Sequence, residues 1–407
     1  MLSLLRKIRH RFRLYAEKLN PLQFNVDQAQ QSDLLIIDNI YPHPLSDWRY
    51  IEFNEYLKAF NQVHIYTGVI EGNRIVVPAQ YAEHKQWLQQ NHGTLLQGNH
   101  KVEALSEQAN INAKLAYCLF YHNLSYVFPL LERYQIPFVF TLYPGGRFAL
   151  YDHTVRENLR RYTSSPLFRH LFVNMPNIYQ YAREQLGVPA SKLTLCYGGP
   201  IFTNNLAFSS YPLSRYTIQP LRICFAAHQY MPMALNKGYD VFCKLAQAFE
   251  KYPDIQFTVI GGLHSGDSFF APLPNIAYAG ELEAEALDEC FSRMHIVVSP
   301  VRSHVLNAGN FDGFPTGAAL RAILRGCVYV GTDPEDNAHA LGLVHGKQVL
   351  LTSDRVSEIA QHIIQLYNNR QLLYEIASAG QQKFMELCAF EENMQKRVNI
   401  LKQYINP

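Results

Sequence analysis

The sequence predicts an α/β protein made of two doubly wound halves, each a parallel sheet wrapped by helices on both faces. Three observations predict it. Short apolar runs alternate with helix-period segments along most of the chain, the pattern of a sheet covered on both sides. The alternation stops in an aperiodic, turn-rich stretch near 203–220 and then restarts. At 407 residues, the chain is too long for one compact core and suits two domains of ordinary size.

The elements follow in order. "DLLIID" is a strand ending at Asp38, "WRYIEFNEYLKAF" a helix and "VHIYTGVI" a strand. After a less regular stretch come "LAYCLFYH" as a strand and "LSYVFPLLERYQ" as a helix interrupted by Pro129. "IPFVFTLYPGG" is a strand entering a glycine turn, "RHLFVNMP" a strand, "IYQYAREQLGVP" a helix and "KLTLCYGGP" a strand. Beyond the turn-rich stretch, "LRICFAAH", "IQFTVIGG", "NIAYAG", "HIVVSPV" and "CVYVGTD" read as strands. Between them, "KGYDVFCKLAQAFEKYP", "EAEALDECFSRM" and the segment reaching Gly326 read as helices, and a run of helices closes the chain. The expected division is a basic segment 1–20, a first domain 21–205, a linker 206–220, a second domain 221–380, and a C-terminal helix 381–407 packing back toward the first domain. In such folds the carboxyl ends of the strands form the ligand edge, so the two halves are expected to face each other across a cleft.

Composition sets further bounds. Net charge is +2, so no global field draws the chain to nucleic acid. Cys118, Cys196, Cys224, Cys243, Cys290, Cys327 and Cys388 form no C-x-x-C pair and sit mostly in apolar contexts. They read as reduced, buried thiols of a cytoplasmic protein. No apolar run approaches the roughly 20 residues of a membrane span. At helical spacing, Leu5, Ile8, Phe12 and Tyr15 share one face, with Arg6, Lys7, Arg9, Arg11, Arg13 and Lys18 around the rest. Two readings stand for this segment: a peripheral helix on the anionic inner face of a membrane, and a helix docked on its own protein with a solvated basic face.

Neither G-x-x-x-x-G-K-[ST] nor G-x-G-x-x-G after a strand occurs. Three glycine pairs do follow strands, Gly145-Gly146, Gly198-Gly199 and Gly261-Gly262, where backbone N–H groups can approach an anion without an intervening Cβ. Lys237, in "NKGYDVF", stands at the positive end of a helix, where the dipole disfavours a cation unless a phosphate attracts both. Asp312-Gly313-Phe314-Pro315-Thr316-Gly317 opens another helix, whose free N–H groups suit a diphosphate while Asp312 accepts from sugar hydroxyls. Plain structural roles compete with both readings: a solvated lysine, and an N-capping aspartate.

These residues give the chain a resemblance. "FAAHQYMPMALNKGYDVFCKLAQAFEKYPDIQFTVIGG", "IAYAGELEAEALDECFSRMHIVVSP" and "FDGFPTGAALRAILRGCVYVGTD" together resemble glycosyltransferase family 4, the group 1 sugar transferases of the GT-B fold. "LFYHNLSYVFPLLERYQIPFVFTLYPGG" resembles the family's first-domain lead into a donor-facing loop, and the likeness spans about residues 33–380. It implies two Rossmann-like domains and transfer of a sugar from a nucleotide sugar, with retention at the anomeric carbon. It implies no metal and no cofactor beyond the nucleotide-sugar co-substrate. Lys237 matches the lysine of the family's basic pair; His228 falls near its arginine and would be a weaker, pH-dependent substitute. Asp312 matches the first of the paired E-x7-E acids. Arg321 falls where the second is expected, with one extra residue between, and Tyr143 replaces a family histidine.

A guanidinium has only donors and cannot hold ribose hydroxyls as a carboxylate does. Arg321 is therefore expected either to fork onto phosphate or to face solvent from a re-registered helix. The candidate catalytic residues are Asp312, Tyr143 and His122. The candidate donor ligands are Gly145, Gly146, Arg147, His228, Lys237, Gly313, Phe314, Pro315, Thr316, Gly317 and Arg321. The expected acceptor is a glycan or lipid-linked glycan in lipopolysaccharide or capsule assembly, lying near Tyr41 to Trp48. Two other classes remain: a non-catalytic relative that binds a glycan or activates a partner, and a transferase of another nucleotide-carried group such as a polyol phosphate.

Overall fold

The computed structural model describes residues 22–198, 211–229, 232–267 and 272–406. The basic segment 1–20, Gly199, and residues 206–210 of the stretch read as a linker lie outside the described residues.

Apolar runs become strands where the alternation places them. β1 (Ser32–Asp38), β2 (Val63–Thr67), β5 (Lys101–Ala104), β6 (Ala113–Leu119), β7 (Phe138–Leu142), β8 (Phe168–Val173) and β9 (Leu193–Leu195) form one sheet in the order β5-β2-β1-β6-β7-β8-β9. β3 (Val69–Glu71) and β4 (Arg74–Val76) form a separate antiparallel hairpin. The second sheet comprises β10 (Leu221–Ala226), β11 (Ile255–Ile260), β12 (Ile276–Gly280), β13 (Ile296–Ser299), β14 (Val328–Gly331) and β15 (Leu350–Leu351), in the order β12-β11-β10-β13-β14-β15. The pairings of β1 with β2 and β6, and of β10 with β11 and β13, are parallel. These are two doubly wound, Rossmann-like sheets, the fold class the alternation predicts. In each, the strand order reverses beside the first strand, between β1 and β6 and between β10 and β13. Such switch points are where ligands of open α/β sheets bind.

The chain divides into two compact units. One contains residues 1–142, 158–172 and 394–407; the other contains 143–157 and 173–393. The second unit's core is built by strand residues Leu221, Ile223, Phe225, Phe257, Val298 and Val330, packed with Phe242, Ile359, Ile363 and Leu366 from its helices.

Several local readings change. "VHIYTGVI" is broken at Gly68, whose φ is +153° and whose Cβ position lies 3.1 Å from the Val76 carbonyl oxygen. The helix Tyr121–Tyr134 runs through Pro129 without a break. Residues Leu213–Thr217, inside the stretch read as a linker, form a short helix. Tyr216 there is buried and donates to the Gly326 carbonyl (2.9 Å), while the Arg215 guanidinium donates to Met294 O (2.6 Å) and Arg325 O (2.8 Å). Among the described residues, no helix is long and apolar enough to cross a membrane. All seven cysteines are free thiols, and Cys290 alone is more than marginally exposed.

The C-terminal helix Phe390–Ile405 contributes a charge to the interior of the first unit. Arg397 and Glu52 are both 0% exposed. Arg397 Nη1 lies 3.3 Å from Glu52 Oε1 and 3.0 Å from Thr141 Oγ1, and its guanidinium stacks over Phe172. Glu52 Oε1 also accepts from the hydroxyls of Tyr56 (2.8 Å) and Tyr117. A buried charge with every partner in place is tolerated; the same charge alone is costly. Arg397→Ala is therefore expected to destabilise the first unit by about 3–5 kcal/mol. Both tryptophans, Trp48 and Trp87, lie in this unit, so denaturant unfolding followed by tryptophan fluorescence reads the change directly. A midpoint unchanged from wild type would show that the pair contributes nothing net.

Candidate functional site

The second unit's ligand edge is set by backbone contacts that side chains would block. Gly238, the N-cap of the helix Tyr239–Ala248, has φ +76°, and a Cβ there would stand 2.2 Å from the carbonyl oxygen of Pro300, just past β13. Only glycine lets the turn after β10 lie this close to the end of β13. Arg302 ties the same turn down. Its amide donates to Asn236 O (2.9 Å), and its guanidinium forks onto Asp240 (2.8 and 3.2 Å) and reaches Asp354 Oδ2 (2.7 Å). Burial pulls the Arg302 pKa down, but hydrogen bonds and charge from the two aspartates outweigh it, and the group stays protonated.

Lys237, immediately before Gly238, is thereby held over the β10/β13 switch point. It is 8% exposed, and its Nζ lies 2.5 Å from Asp312 Oδ1. Asp312 is half-buried on the loop that follows β13. The structure thus brings together two residues that the sequence placed in a donor site, from the segments following the neighbouring strands β10 and β13. Asp312 does not cap the next helix. Thr316 caps Gly317–Leu324, accepting from the Ala319 amide at 3.3 Å, and the positive end of that helix follows the Asp312 loop. The loop is pinned behind Asp312: Tyr197 donates to Phe314 O (2.8 Å), and Phe314 meets the Tyr329 ring edge-on.

The "TLYPGGR" turn also reaches this edge. Residues 143–157 cluster with the second unit. The Leu150 amide donates to Gly309 O (2.8 Å), Phe148 packs edge-on against Phe311, and a Cβ at Gly313 would lie 3.9 Å from Pro144. Gly145, Gly146 and Arg147 all have positive φ, closed by a Phe148 N–H bond to Gly145 O (2.9 Å). Arg147 is exposed, and Tyr143 is buried. The other glycine pairs have packing explanations. A Cβ at Gly198 would meet Cys388 Sγ at 2.8 Å, and one at Gly261 would meet Ala227 O at 2.1 Å.

His228, past the end of β10, has Nδ1 3.6 Å from Glu281 Oε1 at the end of β12. That carboxylate competes with any anion for the ring. His122 lies in the first unit, in the opening turn of Tyr121–Tyr134, with its ring 5.4 Å from Phe120.

One of the two expectations for Arg321 fails: it does not face solvent. It is 7% exposed, and its Nε and Nη2 fork onto Asp288 (2.6 and 3.0 Å) in the helix Ala284–Ser292, with Nη2 also donating to Ala284 O. Arg325 adds a third bond to Asp288 at 2.8 Å. The guanidinium clasps two helices, which accounts for a cation at this position without a ligand.

Sequence reasoning missed a second cluster at the β1/β6 switch point of the first unit. Asp38, 0% exposed, accepts from the amides of Ile40 and Tyr41 (2.9 and 2.8 Å), from Asn123 Nδ2 (3.0 Å) and from Arg49 Nε (3.3 Å). Phe120 beside it adopts φ +69°, ψ +154°, a region that is nearly glycine-only. The acidic end of "DLLIID" was the available signal; its partners lie too far along the chain to be paired by spacing.

Two expectations follow. Burial raises the Asp288 pKa, but hydrogen bonds and charge from Arg321 and Arg325 outweigh it and hold the carboxyl below its ordinary value. A depressed folded-state pKa stabilises above the unfolded value, about 3.9, and that stabilisation is lost as pH falls toward the folded value. Asp288→Asn should thus lower the calorimetric melting temperature at pH 7, and the deficit against wild type should shrink below about pH 4. A deficit constant down to pH 3 would contradict this. Gly238→Ala should cost about 1–3 kcal/mol from the left-handed backbone and the Pro300 contact, and should displace Lys237. Calorimetry together with nucleotide titration would show it; unchanged values for both would refute the close approach.

Residues 222–369 match the family model described as Glycosyl transferases group 1. Among solved structures, Anabaena HepE in complex with UDP and glucose superposes with a TM-score of 0.64 at 15% identity, covering 92% of this chain and 100% of that one. S. aureus TarM gives 0.61 at 10% identity, over 91% and 98% of the two chains. A Rickettsia africae glycosyltransferase gives 0.60 at 11%, over 92% and 99%. At such identities the likeness establishes the GT-B fold. No curated protein sequence matches the chain.

Proposed function

From the match of residues 222–369 to the group 1 glycosyltransferase model we infer that this chain is such a transferase, and we propose that it moves a sugar from a nucleotide-sugar donor bound at the Lys237–Asp312 edge to a glycan or lipid-linked acceptor. The observation that carries the reading is the convergence of Lys237, Asp312 and the Gly317 helix end on the β10/β13 switch point, inside the segment that matches the family. A buried ammonium and helix-end amides suit a diphosphate, and a carboxylate suits sugar hydroxyls.

In the reaction, the bond between the anomeric carbon and the diphosphate oxygen breaks and a bond to the acceptor oxygen forms. The acceptor's proton passes to the departing phosphate. Lys237 and the first-turn amides of the Gly317 helix stabilise the charge that develops on the leaving group, a preorganised electrostatic contribution of the kind that dominates many enzymes. We propose retention at the anomeric carbon and independence of metal, as the family resemblance implies; in this assignment the chain itself supplies positive charge to the leaving group. Tyr143 and Arg147 would line the donor edge. His122 and the Asp38–Arg49–Asn123 cluster would serve the acceptor. Arg321 is assigned to helix packing rather than to phosphate. Assembly of a bacterial surface polysaccharide such as lipopolysaccharide or capsule is the setting we favour, with residues 1–20 as the membrane contact. HepE was solved with UDP and glucose, which makes UDP-glucose the first donor to try. A non-catalytic glycan-binding protein is the second reading, favoured by the missing second acid.

Thermal-shift screening against UDP, GDP, CDP, ADP and dTDP, each with its sugar conjugates, tests the reading. One nucleotide series should raise the melting temperature. Lys237→Ala should weaken its binding about tenfold or more, the scale of one charge-assisted contact. Arg321→Met should lower the baseline melting temperature yet keep the nucleotide shift. Binding without transfer to any glycan acceptor would favour the second reading. No shift with any nucleotide would end the donor-site assignment.

A further inference from the structure

Lys237 is not waiting with an open ammonium: a carboxylate already sits on it, 2.5 Å away. The backbones carrying the two side chains are both immobilised. Lys237 is fixed by Gly238 against Pro300 and by Arg302 on Asn236 and Asp240. Asp312 is fixed by Phe311 against Phe148 and by Tyr197 on the Phe314 carbonyl. Side-chain rotation is therefore the simplest way for the pair to open. We propose that the Lys237–Asp312 ion pair is a latch that admits a sugar-bearing nucleotide and disfavours the bare nucleoside diphosphate; this rests on reading the edge as the donor site.

The argument is one of compensation. A diphosphate landing on Lys237 meets the Asp312 carboxylate as a like charge at close range. Asp312 has to turn away, and an ionised carboxylate accepts hydrogen bonds but donates none. It leaves its cation at low cost only if other donors take it. The hydroxyls of a hexose on the same diphosphate are such donors, at the position where the sugar would lie. A bare nucleoside diphosphate brings the charge without the hydroxyls, so the carboxylate either repels the phosphate or is left without a partner. The same logic runs in reverse after transfer. Once the sugar has left, Asp312 loses its donors, returns to Lys237 and competes the product off the ammonium. The sugar's presence thus controls the availability of the phosphate-binding cation, through one rotamer change and no backbone movement.

The latch makes a prediction opposite to that of a simple sugar ligand. The full-length chain and its Asp312→Asn variant would be titrated calorimetrically with inorganic pyrophosphate, with the nucleoside diphosphate selected by the screen, and with its sugar conjugate. In wild type the conjugate should bind more tightly than the diphosphate. In Asp312→Asn, pyrophosphate and the nucleoside diphosphate should each bind about tenfold more tightly, while the conjugate gains nothing, so the preference collapses. Product inhibition in a transfer assay should deepen in parallel. Asp312→Ser, which removes the charge with a smaller side chain, should move the diphosphate affinity in the same direction; melting curves for both variants check folding. If the variants bind the diphosphate no more tightly than wild type while the conjugate weakens, Asp312 is a sugar ligand alone and the latch is overturned. If wild type binds neither diphosphate nor conjugate, the donor-site reading fails first and the latch fails with it.

Discussion

The second unit's working edge depends on one close approach, that of the Gly238 backbone to the Pro300 carbonyl. The distance leaves no room for a Cβ, and the left-handed φ would strain any other residue. Because Pro300 directly follows the strand next to the one Lys237 follows, this contact joins the two chain segments that leave the sheet at the strand-order reversal. It also fixes where a cation borne by the preceding residue must project. Arg302 completes the arrangement by joining Asp240 and Asp354, so that the turn after β10, the loop after β13 and the segment after β15 behave as one body. The site chemistry lies on loops, and this clamp holds them together.

The first unit meets a similar requirement in another way. At its own switch point no glycine relieves the turn out of β6, and Phe120 adopts a conformation that glycine would hold at lower cost. A phenylalanine persists there because its ring is useful: it packs against Trp48 and lies under the Arg49 guanidinium. Asp38 anchors the same corner by capping its own turn while binding Arg49 and Asn123. Interior stability is handled separately, by Glu52 and Arg397. Strain at the edge is thus carried by a core whose charges are fully partnered.

What was legible in the sequence divides along physical lines. Most strands and many helices were legible because a period of two or of 3.6 is written locally, although the stretch between β2 and β6, with its hairpin and the helix Tyr81–His92, was not. Lys237 and Asp312 were legible because each is an odd choice beside a glycine turn. Short elements such as β5 and the helix Leu213–Thr217 were not, since four or five residues carry too little periodicity. Long-range charge pairs were least legible. Arg321 stands out in the sequence because an acid is expected there, yet what accounts for it is Asp288, 33 positions earlier on another helix. Arg397 and Glu52 are 345 positions apart, and neither has a local signature. A glycine pair is ambiguous in sequence for the opposite reason: a strand-end glycine is equally the mark of a backbone passing close by, as at Gly261.

The identity of each cation then follows from what it has to do. Arg321, Arg302 and Arg215 hold two elements in register, and each does so with a planar fork that satisfies several acceptors at once. A fork so engaged is hard to release, because one rotation breaks every bond together. Lys237 presents a point charge on a flexible stem, with Asp312 as a monodentate counterion. An ammonium can exchange one oxygen for another with little rearrangement, which a guanidinium clasped on both sides cannot. Beside these arginine clasps, a nearly buried lysine paired with Asp312 is the choice suited to the exchangeable bond that the proposed latch requires.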